Sequence, residues 1–78
     1  MDLRQVFAAN VRRLRHAKGL SQEELAYQAD VNRTYMSKVE TGATWVGLEI
    51  IGRIAEVLEI EPAELLKLPT KRRPRSSQ

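Results

Sequence analysis

Cysteine is absent from the 78 residues, and His16 is the sole histidine. Disulfide bonds are therefore excluded, and a structural metal would have almost none of its preferred nitrogen and sulfur ligands. A single core in so short a chain is usually only marginally stable unless a disulfide, a metal or self-association supports it. Self-association is the remaining support, so the sequence favours an oligomer without a metal or another cofactor.

Long apolar runs are missing as well. No stretch approaches the roughly 20 apolar residues that a membrane-spanning helix needs, and the start at Asp2 and Arg4 has no apolar signal core. We therefore expect a cytoplasmic protein without a membrane partner. The sequence also has no recognisable nucleophile with a base, no paired catalytic carboxylates and no phosphate-cradling glycine loop, which argues against an enzyme.

The basic residues are unevenly distributed. Four of the 13 Lys and Arg side chains lie in residues 71–75, which leaves nine basic against ten acidic residues in 1–70. Residues 1–45 hold seven basic and five acidic side chains, so a basic partner surface is expected in the N-terminal half. Residues 69–78 have two prolines and no apolar periodicity, and they are predicted to form a basic, disordered tail after a single domain at 1–68.

Apolar residues recur at the spacing of amphipathic helices through most of residues 1–68. The predicted helices cover residues 3–18, 22–29 and 33–40, then a fourth from Leu48 and a short fifth at 62–66. Ser21 and Glu24 have the pattern of a capping box, and Asn32 is placed to cap the third helix. The buried face of the fourth helix is expected to carry Leu48, Ile51, Ile54, Ala55 and Leu58. No strand is predicted, so the fold class is all-α: a compact bundle of five short helices.

Helices two and three are separated by only about three residues. Their inward positions carry apolar side chains, namely Leu25, Ala26, Ala29, Val31, Met36 and Val39. Two short helices joined by a tight turn form a helix-turn-helix unit, whose second helix protrudes into the major groove of DNA. Residues 19–26, with the sequence GLSQEELA, and residues 32–40, with the sequence NRTYMSKVE, resemble the phage Cro and repressor (XRE-like) helix-turn-helix family.

Within this stretch, residues 25–27 and 33–37 are similar to the controller proteins of bacterial restriction–modification systems. The resemblance covers about residues 6–67 and implies a lambda-repressor-like fold. It also implies a dimeric, promoter-binding autoregulator of transcription, located on the nucleoid of a prokaryote or acting for a phage.

The resemblance implies a set of residues that contact double-stranded DNA. They are Gln22, Asn32, Arg33, Thr34, Tyr35, Ser37 and Lys38. Gln22 would bind a backbone phosphate and brace the recognition helix, and the planar guanidinium of Arg33 would pair with O6 and N7 of guanine. Arg15 and Glu40 match an ion pair of the family, which would tie helix one to the end of helix three.

The turn between helices two and three departs from the family pattern. Asp30 stands where the family usually has glycine, and we predict a positive φ there because aspartate tolerates the left-handed conformation better than most residues. The loop before helix four has Ala43, Thr44 and Trp45 in place of basic residues. The resemblance therefore does not carry the family's phosphate contacts over to that loop.

Apolar residues off the predicted core face of helix four point to a dimer interface. Ile50 and Val57 lie seven residues apart, and Ile60 and Leu65 follow nearby. The alternative is a larger core packed against helix five. Two-fold pairing would place two recognition helices about 34 Å apart, which matches a palindromic operator. Two other functions stay open: an antitoxin whose tail or helix five captures a toxin, and a helix-turn-helix used as a protein-interaction module.

Overall fold

A computed structural model describes residues 2–68 of the chain. It has four α-helices, α1 (Leu3–Ala17), α2 (Gln22–Gln28), α3 (Arg33–Thr41) and α4 (Leu48–Leu58), and then a 3-10 helix at Pro62–Leu66. The all-α prediction is confirmed. The fifth helix is a 3-10 helix with i to i+3 bonds, such as that from Glu64 N to Glu61 O at 2.9 Å. The predicted tail at 69–78 lies outside the described residues.

Side-chain caps fix the starts of the first three helices. The Asp2 carboxylate accepts a hydrogen bond from the Arg4 amide at 2.9 Å. Ser21 and Glu24 form the predicted capping box, with hydrogen bonds of 3.0 and 2.7 Å in the two directions. The carboxamide oxygen of Asn32 accepts from the first amides of α3. Each cap satisfies amides that a helix start would otherwise leave unpaired, so α2 and α3 begin at defined residues.

The turn between α2 and α3 has the predicted left-handed residue. Asp30 has φ 57°, and Val31 N donates to Ala26 O at 2.8 Å. The Asp30 carbonyl accepts from the Arg53 guanidinium of α4 at 3.3 Å. This single left-handed residue reverses the chain within a few positions, which lets α3 pack closely against α2.

The core lies between α1, α2, α3 and α4 and is closed at one end by the 3-10 helix. Its largest fully buried side chains are Leu25, Met36, Ile54, Leu65, Val11 and Val39. Most inward positions of the sequence prediction are therefore buried. Leu48 is the exception on α4, since it stands at the first helical position and is 86% exposed.

The position of Leu65 corrects the predicted dimer interface. Its side chain is completely buried within one chain, so it has no surface to offer a partner. The reason is that the 3-10 helix folds back onto α1, where the Asn10 carboxamide donates to the carbonyls of Leu65 and Lys67, each at 2.9 Å. Leu65 therefore belongs to a larger core packed against the fifth helix, which was the alternative to a dimer interface.

Candidate nucleic-acid interface

The outward face of α3 carries most of the predicted DNA-contacting residues. Arg33, Thr34 and Lys38 are exposed and Ser37 is half-buried, whereas the opposite face buries Met36 and Val39 in the core. At 3.6 residues per turn, the four polar residues lie within an arc of about 140°. One accessible helix face therefore combines two positive charges with two hydroxyl groups, which can donate to and accept from base edges and phosphates.

The two remaining predicted residues of this segment make contacts within the chain. Asn32 is exposed, but its carboxamide oxygen is occupied by the amides of Thr34 and Tyr35 at 2.7 and 3.2 Å. The Tyr35 hydroxyl donates to the carbonyl of Trp45 at 3.3 Å. Tyr35 therefore links α3 to the loop that precedes α4.

Arg4 also contacts that loop, a contact that sequence reasoning missed. The Arg4 guanidinium lies 4.7 Å from the ring centroid of Trp45, within the range of a cation–π contact. Arg4 also pairs with Asp2 at 3.0 Å, and its hydrogen bonds hold the pKa of the Asp2 carboxyl below its ordinary value. No local signal predicts this contact, because it joins the first turn of α1 to a loop about 40 residues later.

A buried ion pair anchors the end of α3. The Arg15 guanidinium donates to both carboxylate oxygens of Glu40, from Nε at 2.7 Å and from Nη2 at 2.9 Å. The two side chains are only 11% and 3% exposed. A third donor of Arg15, Nη1, bonds the Leu20 carbonyl at 2.9 Å, so the guanidinium joins α1, the α1–α2 loop and α3. The two residues that the resemblance paired are thus in direct contact.

Gln22 and Arg12 also donate hydrogen bonds to Glu40. The Gln22 carboxamide, at the start of α2, donates from Nε2 to Glu40 Oε1 at 3.3 Å. The Arg12 guanidinium donates to the backbone carbonyl of Glu40. The resemblance implied that Gln22 both binds a phosphate and braces the recognition helix, and the bond to Glu40 is a contact of the second kind. Sequence reasoning gave Arg12 no role, since its contact depends on how far one helix stands from the next.

The described residues form neither a metal cluster nor a membrane-spanning helix. Within residues 2–68, no group of three or more His, Asp or Glu side chains is arranged to hold a metal ion. Over the same residues, no helix has both the length and the apolar character needed to cross a membrane.

Comparisons with known proteins agree with this arrangement. Residues 6–68 match a family described as a helix-turn-helix domain. The chain belongs to this helix-turn-helix family. It is 39% identical over 70 residues to the control protein C.BamHI of Bacillus amyloliquefaciens, which covers 88% of this chain and 86% of that protein.

Two crystal structures show the same helix-turn-helix fold. The restriction-modification controller protein C.AhdI from Aeromonas hydrophila is 45% identical with a TM-score of 0.77, over 80% of this chain and 94% of that one. The hypothetical transcription factor NHTF from Neisseria is 44% identical with a TM-score of 0.85, over 87% and 76% of the two chains. The predicted similarity to controller proteins is confirmed, and in this helix-turn-helix α3 occupies the position of the recognition helix.

Proposed function

We propose that this protein is a sequence-specific transcription regulator that binds a palindromic operator as a homodimer and controls its own promoter. The observation that carries the proposal is the exposed polar face of α3, presented by a helix-turn-helix unit. Its relatives include proteins described as control proteins, restriction-modification controllers and transcription factors. The protein acts on chromosomal or phage DNA in the cytoplasm.

Arg33 is the residue we assign to base recognition. It is the first residue of α3 and is exposed, so its side chain is available at the end of the helix that enters the major groove. A guanidinium donates two parallel hydrogen bonds to the O6 and N7 atoms of guanine. Thr34, Ser37 and Lys38 add further contacts to bases or phosphates from the same face.

The remaining contacts go to the DNA backbone. The amide nitrogen of Asn32 is available for phosphate, because the helix cap uses only the oxygen of that side chain. Tyr35 is assigned to sugar or phosphate, a contact for which its single hydroxyl proton would leave the Trp45 carbonyl. Gln22 binds phosphate from the start of α2. Such contacts fix the register of the protein on DNA without reading sequence.

Self-association is assigned to the surface of α4. Ile50 and Val57 of α4, and Ile60 just after it, are half-buried along the core. With a turn of about 100° per residue, the exposed Leu48 lies on the opposite flank of α4 from Ile50 and Val57, so it is not part of this surface. A second copy would cover this apolar surface and support a small core. A two-fold dimer would also present two α3 helices about one DNA turn apart, which suits a palindromic site.

A gel-shift titration tests the proposal. The probe is the DNA immediately upstream of the protein's own gene, in excess non-specific competitor. We expect a discrete shift with two chains per operator. Arg33→Ala is expected to weaken this binding by about 1 to 3 kcal/mol and to relax selectivity at one base position. No competitor-resistant shift would contradict regulation of this promoter.

Lys67→Ala is the matched control, because it removes an exposed positive charge that lies outside the helix-turn-helix unit and pairs with Glu64 at 3.0 Å. It should keep the discrete shift and the sequence selectivity. Equal losses for Arg33→Ala on the operator and on a scrambled duplex would show that Arg33 contacts phosphate rather than a base.

A further inference from the structure

Glu40 collects hydrogen bonds from two other helices at the end of α3. Its carboxylate accepts two from Arg15 of α1 and one from Gln22 of α2, and its carbonyl accepts one from Arg12 of α1. The side chain is 3% exposed, so these contacts replace water almost completely. The ion pair with Arg15 accounts for burial of the charge, but it does not account for the bond to Gln22.

Charge balance matters here because Gln22 is the residue assigned to a DNA phosphate. A lone carboxylate next to that amide would repel the phosphate. The Arg15 guanidinium contacts both carboxylate oxygens at under 3 Å, so the pair is neutral as a whole. The Glu40 carboxylate is therefore a strong hydrogen-bond acceptor for Gln22, held in a fixed position, and the neutral pair does not repel a phosphate.

The Gln22 carboxamide has two N–H donors on one nitrogen. One is committed to Glu40 Oε1 at 3.3 Å, and among residues 2–68 the other has no acceptor. Because the amide is planar, the bond to Glu40 sets the direction of the second N–H. The side chain is only half-buried, so that second donor has access to a ligand.

We propose that Glu40 is a positioning residue for DNA binding: it holds the Gln22 carboxamide so that its second N–H donates to a DNA phosphate. The inference rests on the proposed function, since it takes the ligand of Gln22 to be DNA. Holding the amide before DNA arrives removes the ordering cost from the binding step. The neutral pair of Glu40 with Arg15 supplies this restraint without repelling the phosphate.

Gln22→Met, Glu40→Met and the double variant test this role in DNA-binding titrations, because Met at position 40 has no oxygen to accept from Gln22. We expect Gln22→Met to weaken binding about tenfold, because each of the two chains of the dimer loses one hydrogen bond to a phosphate. The loss should be equal on the operator and on a scrambled duplex, since phosphate contacts do not read sequence. The dependence on salt concentration should stay unchanged, because a neutral amide displaces no counterion. A changed salt slope would show that Gln22 does not act as a neutral donor.

The sign of the Glu40→Met effect separates positioning from plain electrostatics. Removing a negative charge near the DNA would tighten binding by electrostatics alone. A positioning role predicts weaker binding by several-fold, and it predicts that this weakening disappears when residue 22 is already Met. An equal weakening in both backgrounds would overturn the inference, since Glu40 would then act through the fold alone.

A measurement on the unaltered protein covers the case in which Glu40→Met fails to fold. In the free protein, the ¹⁵N relaxation of the Gln22 side-chain amide should be as restrained as that of the α2 backbone. The exposed amide of Gln28, on the same helix, is the mobile control. A Gln22 amide as mobile as that of Gln28 overturns this inference while the proposed function stands. Failure of the unaltered protein to bind any duplex overturns both.

Discussion

Removing the Arg15 side chain tests how much the fold depends on the buried pair at the end of α3. Arg15→Met keeps much of the side-chain volume but removes all three hydrogen bonds of the guanidinium. The Glu40 carboxylate then stays buried, with the Gln22 amide as its remaining side-chain donor among residues 2–68. The cost is therefore that of an uncompensated buried charge rather than that of a lost surface contact.

The expected loss of unfolding free energy is about 3 kcal/mol. Truncating one partner of a buried ion pair typically costs about 3 to 5 kcal/mol. The lower end applies because the Arg15 side chain keeps 11% of its exposure, so some water already reaches it. With a urea m-value of about 1 kcal/mol/M for a chain of this size, the midpoint should fall by about 3 M. A domain this small has little stability to spare, so part of the variant is expected to be unfolded in buffer.

Urea titrations followed by far-ultraviolet circular dichroism measure this loss. Every variant is compared at one protein concentration, because dimerisation would make the midpoint concentration-dependent. Lys18→Met, which breaks the exposed pair with Glu59, is the control and should lower the midpoint far less than Arg15→Met does. The double variant Arg15→Met/Glu40→Met should recover most of the loss, because an apolar pair fits the buried site. A loss below about 1 kcal/mol, or a double variant as unstable as Arg15→Met, would refute the reasoning.

Two further predictions concern packing and pH. Leu65→Ala should lower the unfolding free energy by about 2 to 5 kcal/mol, because it leaves a cavity in the core. Leu48→Ala, at an exposed position, should change it little. Both variants are measured by the same urea titration, at a protein concentration where the chain is monomeric. The hydrogen bond from Lys18 lowers the pKa of Glu59 below its ordinary value of 4.5, so an NMR pH titration should give a lower pKa that rises again in Lys18→Met. The stabilising effect of this pair is present above pH 4.5 and lost as the pH falls through the lowered pKa.

The sequence predicted most of the fold because its signals are local. Capping residues and apolar periodicity placed four helices to within about one residue at each start, and the substitution of Asp30 for glycine predicted the left-handed turn. The errors arose where one helix meets another. Periodicity placed Leu48 on the buried face, but at the first turn of α4 nothing packs over it. Leu65 was placed at an interface, because no local pattern predicts that the 3-10 helix folds back onto α1.

In the candidate DNA-binding site, too, local features were predicted and contacts between helices were not. The exposed face of α3 follows from helical spacing, and the resemblance to a known family supplied its role. The resemblance also implied that Gln22 braces the recognition helix, but not that Glu40 is the residue its amide contacts. Arg12 was given no role, although it donates to the carbonyl of Glu40 at the end of α3. Contacts of this kind depend on packing distances that no single segment of sequence encodes.

The buried polar groups of this fold are concentrated where α3 must be held. The described residues bury three polar or charged side chains, Asn10, Arg15 and Glu40, and two of them fasten the end of α3 to α1. The other end of α3 is fixed by the Asn32 cap. Reading bases requires the helix to be presented rigidly, whereas the bases that are read depend on exposed side chains. Substitutions on the exposed face, such as those of Arg33, should therefore alter DNA selectivity with little loss of stability.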